Sequence, residues 1–168
     1  MLVTSAEAAK LLRKLNDTIS GLTEQEGLRR EYVAAVGEDP ESVRPDYSYT
    51  DTRDELLRLE ASVRKVKHAL NVFNSTQTVP GFGITIDEML ILLPQLSARK
   101  SKLAAMKARL PKVRDMSYRN TTILDYRYIN YELSAVEADY EAVSDELARA
   151  QMALDEVNST VRFEISDI

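Results

Sequence analysis

Apolar residues recur along this chain at spacings of three and four in four separate runs, the period of an amphipathic helix. In the first, Leu12, Leu15, Ile19 and Leu22 are interrupted by Glu26, Gly27 and Arg29 and resumed by Val33 and Val36. Thr4 and Glu7 ahead of this run have the spacing of a capping box. The run predicts a helix over 5–36 with a soft middle, since Gly27 costs about 1 kcal/mol relative to Ala in a helix interior. "GEDPESVRPDYSYT", Gly37–Thr50, reads as a loop because its prolines break the period. In the second run, Leu56, Leu59, Val63, Val66, Leu70 and Phe73 alternate three and four without a miss and predict a helix over 51–73. The third opens on a second capping box, Thr85 with Glu88, and continues through Met89, Leu92, Leu96, Leu103, Met106, Leu110 and Val113. It predicts a helix over 86–115, bent near Pro94 and weakened at Pro111, because proline lacks the backbone donor. The fourth run, Ile129, Leu133, Val136, Tyr140, Val143, Leu147, Ala150, Leu154, Val157 and Val161, is the most regular and predicts a helix over 129–161. Before it, the Tyr-, Thr- and Ile-rich stretch near 117–128 reads as short, irregular or extended.

The expected fold is all-α. Four long amphipathic helices form antiparallel coiled-coil hairpins in a single elongated domain spanning 1–168. A leucine stripe of this kind has to be buried, and its ordinary place is a core. The fourth seam is long enough to take a second copy, so Leu133, Val136, Tyr140, Val143, Leu147 and Leu154 are candidate oligomer-seam residues in a homo-oligomer. Charge suggests how the helices pair. Between Arg99 and Arg114 the third helix carries seven cations and no acid, whereas the fourth is rich in Glu and Asp. The basic run is therefore expected to face the acidic helix.

Composition narrows the functional classes. With 29% charged and 7% aromatic residues, the 168-residue chain is helical in character. It contains no cysteine, which removes disulfides, thiolate nucleophiles and cysteine metal sites and suits a reducing, cytoplasmic setting. The apolar run Met89–Leu93 is far shorter than the roughly 20 residues of a membrane span, and the first residues do not read as a signal peptide. A net charge of −5 speaks against nucleic acid as a general partner.

Candidate chemistry is sparse. Pro80, Gly81 and Gly83 precede a helix start, where anions are favoured. The loop lacks the Gly-Lys-Ser/Thr end of a P-loop, and Asp87 and Glu88 would repel a phosphate, so it reads as a helix connection. His68, the single histidine, falls off the second seam and reads as surface. Neither catalytic, cofactor-binding nor metal-binding residues are assigned. A possible polar pole gathers Asn71 and Asn74, Thr85 and Asn158, side chains suited to capping helix ends or binding loop backbone.

"LNVFNST", followed by "GITIDEML" and Leu96, resembles a bacterial family of all-helical proteins often labelled septicolysin-like. Leu70, Asn71, Asn74, Gly83, Thr85, Ile86, Leu90 and Leu96 carry the resemblance. It departs at Leu92, Leu93 and Pro94, where the family has charged residues. The resemblance implies helical hairpins that associate into oligomers, and its label implies a membrane-active cytolysin. The residues themselves favour a non-enzymatic structural or protein-interaction helical protein, self-associating and with a possible protein partner. An oligomeric metal- or ligand-binding protein with an interface site is an alternative, as is a cytolysin-like protein.

Overall fold

In a computed structural model the chain is all-α, and the described residues form four long helices and four three-residue strands. Residues 1–115 and 125–166 are described. The order is β1 (Leu2–Thr4), α1 (Ser5–Arg29), a short 3-10 turn (Pro40–Ser42), α2 (Tyr49–Thr76), α3 (Ile86–Lys107), β2 (Lys112–Arg114), β3 (Tyr126–Tyr128), α4 (Leu133–Thr160) and β4 (Arg162–Glu164). Contacts divide it into two compact units. One comprises residues 1–76 with 156–168, the other residues 77–155.

In the first unit α1 packs along α2. Leu12 and Leu15 on α1 are half-buried, as are Leu56, Leu59 and Leu70 on α2, while Val66 and Phe73 are buried. The period of three and four thus marks the inner face of both helices. Val3, Ala8, Val66 and Ile165 form the core cluster, in which the fully buried Val66 and Ile165 each contribute about 1.5–3 kcal/mol. β1 and β4 pair antiparallel, with Val3 opposite Phe163, and the rings of Phe163 and Phe73 stack at 4.6 Å between centroids. The C-terminal strand, which no periodicity announced, brings Phe163 and Ile165 onto the two helices. At the start of α1 the expected capping box is formed. Glu7 N–H donates to Thr4 Oγ1 at 3.2 Å and Thr4 N–H to Glu7 Oε2 at 2.9 Å.

Several boundaries differ from those the sequence predicts. α1 stops at Arg29 rather than 36. The valines that prolong its period are exposed, Val33 at 91% and Val36 fully, and a helical stripe without a surface to cover it gains nothing by continuing past Gly27. α2 is longer than 51–73 at both ends. α3 ends at Lys107, before Pro111, so Leu110 and Val113 leave the stripe and enter a loop and β2. Pro94 is accommodated inside α3. α4 starts at Leu133, with Ile129 just past β3. The expected extended segment near 117–128 is a strand at Tyr126–Tyr128, paired with β2; positions 117–124 lie outside the described residues.

In the second unit α3 buries Ile86, Met89, Leu96 and Leu103. The turn before it is closed by its own backbone: Val79 N–H donates to Ile84 O at 2.8 Å, and Phe82 and Gly83 N–H to Val79 O at 3.3 Å. Gly81 and Gly83 take positive φ values of 80° and 67° to make this possible. Three of the loop's amides are thereby bonded within the loop itself, which connects α2 to α3. Thr85 then caps α3. Glu88 N–H donates to its Oγ1 at 3.2 Å, and Glu88 Oε2 accepts from Thr85 N–H at 2.9 Å.

That cap makes a measurable statement. The backbone bond from Thr85 holds the Glu88 carboxyl below its ordinary value of 4.5. A carboxyl whose pKa is depressed by folding adds stability above its unfolded value, and the contribution is lost as pH falls through the lower, folded value. Thr85→Ala is expected to lower stability by about 1 kcal/mol at neutral pH. The Thr85 hydroxyl also donates to Glu88 Oε2 at 3.0 Å, so the deficit should shrink as pH is taken below 4.5, and equal deficits at pH 7 and pH 3 in denaturant titrations would show that this hydroxyl–carboxylate bond is not contributing.

Candidate functional site

The structure gives each of the four residues proposed as a polar pole its own place in a helix or cap. α2 runs on to Thr76, so Asn71 and Asn74 lie inside its last turns rather than at its end. The late carbonyls of α2 are capped by its hydroxyls: Ser75 Oγ donates to Val72 O at 3.0 Å and Thr76 Oγ1 to the same oxygen at 2.8 Å. Asn158 likewise precedes Ser159 and Thr160, which both donate to Glu156 O. Thr85 is a helix cap, and belongs to the second unit while the asparagines belong to the first. Serine and threonine beside the asparagines were the overlooked signal, since their short hydroxyls reach back to carbonyls three or four residues earlier.

The candidate oligomer seam is where the period put it, on one face of α4, but it is spent inside the chain. Val136, Val143, Leu147 and Leu154 are buried, as are Ala150 and Val157, and Leu133 and Tyr140 are half-buried. A surface already covered cannot be covered again by a second copy. The basic run of α3 meets α4 through an aromatic ring: Lys107 Nζ lies 5.1 Å and Lys100 Nζ 5.8 Å from the centroid of Tyr140. His68 is exposed, as expected.

The chemically most distinctive place is a groove in the second unit that the sequence reading missed. It lies where α3 ends against the β2–β3 pair, and encloses about 960 Å³. β2 and β3 are antiparallel, Lys112 opposite Tyr128 and Arg114 opposite Tyr126. Lys112 Nζ sits 4.1 Å from the Tyr126 centroid and 5.4 Å from that of Tyr128. Arg127 is paired with Asp115 at 3.2 Å. The chain leaving β3 is fastened to the end of α3, with Tyr131 Oη donating to Met106 O at 2.8 Å.

Two kinds of side chain line this groove. Leu110, Val113, Met106 and Ile129 give an apolar floor; Leu110 is 66% and Val113 45% exposed. Among the described residues that line it, Lys102, Arg109, Arg114 and Arg127 put four cations against the carboxylate of Asp115, in a chain whose net charge is −5. Small-molecule sites of this volume bury most of their ligand. Here the polar lining is exposed, which suits a length of polypeptide better. Among the described residues no three His, Asp or Glu side chains gather to hold a metal ion, and no helix is long and apolar enough to cross a membrane.

No protein-family model and no curated protein matches the chain. Among solved structures, the fold is similar to that of a functionally unknown conserved protein from Corynebacterium diphtheriae, with 13% sequence identity and a TM-score of 0.60, over 98% of this chain and 100% of that one. At that identity the likeness is one of fold.

Proposed function

We propose that this is a non-enzymatic helical interaction protein that associates with further copies of itself. The observation that carries the reading is the groove at the end of α3, where exposed Leu110 and Val113 lie among four cations. Exposed apolar side chains rimmed by charge are the usual mark of a protein-binding surface. The septicolysin-like resemblance, with its oligomerising hairpins, agrees with this reading. The interface is moved from the α4 seam, because Val136, Val143, Leu147 and Leu154 are already buried.

Sedimentation or light scattering over a concentration series is the test. The expected mass at tens of micromolar is at least twice the 19.0 kDa of one chain. A constant mass of one chain at high micromolar concentration would rule self-association out.

A further inference from the structure

Between α1 and α2 the first unit displays a segment opposite in character to the groove. Residues 31–46, "EYVAAVGEDPESVRPD", hold five carboxylates against Arg44, and Arg44 is itself paired with Glu41 at 3.2 Å. Within the same stretch Val33 and Val36 stand fully or almost fully in solvent, and Tyr32 and Val43 are exposed too.

The segment is exposed but held in shape. Ala35 N–H donates to Glu38 Oε2 at 2.9 Å, Asp39 caps the short 3-10 turn, and Gly37 supplies a positive φ of 91°. Just beyond it, Tyr47 Oη donates to Glu26 Oε1 at 2.6 Å, fastening the return to α1. That bond pushes the Tyr47 phenol up from its ordinary value. A segment already ordered loses less freedom on docking than a floppy one.

From these two surfaces we infer that copies of this chain associate head to tail, the acidic valine segment 31–46 of one docking into the cationic groove formed by α3 and the β2–β3 pair of the next. The inference rests on the self-association proposed above and names the surfaces that perform it. Val33 and Val36 meet the floor of Leu110 and Val113, and the carboxylates meet Lys102, Arg109, Arg114 and Arg127. Charge complementarity of this kind raises encounter rates and fixes register. Each contact joins two unlike surfaces, and the association closes as a pair or a ring or runs on as an open chain according to whether its symmetry closes.

The test uses the full chain and two charge-reversed variants, K102E/R109E in the groove and E31K/D46K in the segment. Each variant alone is expected to weaken association at least about tenfold, and an equimolar mixture of the two to recover part of it, since reversed segment and reversed groove again complement. Raising salt from low to half-molar should weaken the unaltered protein in the same direction. A second measurement guards against a variant that misfolds. A labelled synthetic peptide of residues 31–46 should bind the unaltered protein, lose affinity when Val33 and Val36 are serine, and lose it on L110S protein, whose exposed leucine can change without disturbing a core.

If the unaltered chain associates while both variants and the peptide leave that association unchanged, the interface lies elsewhere. Self-association then stands and this inference falls. If the chain is a monomer and the peptide does not bind, both fall. Capture of a single-stranded oligonucleotide by the unaltered protein, lost in K102E/R109E, with no binding of the peptide, would make the groove a nucleic-acid surface and overturn the inference.

Discussion

Leu147→Asp is expected to lower the midpoint of thermal unfolding by about 8–16 °C, the shift that a destabilisation of some 4 kcal/mol produces in a domain of this size. Leu147 is 9% exposed and lies midway along the buried face of α4, with Val143 and Ala150 one turn to either side, all of them buried. A carboxylate there must be desolvated or be protonated, and either course costs several kcal/mol. His68→Ala is the matched control. The imidazole is exposed on α2, and surface changes of that kind stay within about 0.5 kcal/mol. Paired melts at neutral pH decide the matter. A His68→Ala protein that melted lower than Leu147→Asp would mean the face of α4 has been assigned to the wrong side.

That face was also the most legible feature of the sequence, for a physical reason. Along α4 every third or fourth residue is apolar from Leu133 to Val157 without interruption, and only one face of a helix can satisfy such a pattern. What the pattern could not say is which surface covers the face. The same stripe serves a core or an oligomer seam, and it proved to be buried within the chain. α1 shows the opposite limit. Val33 and Val36 keep the period yet have nothing to pack on, so the helix ends at Arg29 and the valines are left in solvent. Capping boxes at Thr4 and Thr85 were readable because the bond is local, three residues from donor to acceptor. The groove was not readable because it is made where a period fails. Leu110 and Val113 continue the stripe of α3 in number, but Pro111 stands between them and the chain turns into β2. Given the weight a missing amide donor carries, that proline was the available signal. The basic run was legible as a charge feature, although the lysines that reach α4 lie over Tyr140, and the cations beyond them surround the groove.

Strands β1 and β4 escaped notice for a different reason. Three residues, as in β1 and β4, are too few to show an alternation, and their pairing joins positions some 160 apart, so neither strand predicts the other. Yet the structure gives the C-terminal strand region a large share of the first unit's core, which leads to a sharp expectation. Ile165→Ala should cost about 2–5 kcal/mol, the range for truncating a fully buried isoleucine. Ile165 is 1% exposed and packs with Val3, Ala8 and Val66. Its backbone is tied to Met1 in both directions, at 2.8 Å and 2.7 Å, so the segment cannot readily slide in to fill the space left. Leu2→Ala, on the outer side of β1 and 59% exposed, is the control and should cost little. The location of the damage matters as much as its size. Local stability tracks the packing of each cooperative unit, so amide exchange should quicken in α1 and α2 before it does in the buried middle of α3. Were Ile165→Ala to melt within a degree of the unaltered protein while Leu2→Ala fell further, the C-terminal residues would be no more than a tail lying on the helices, and the core of the first unit would have to be sought between α1 and α2 alone.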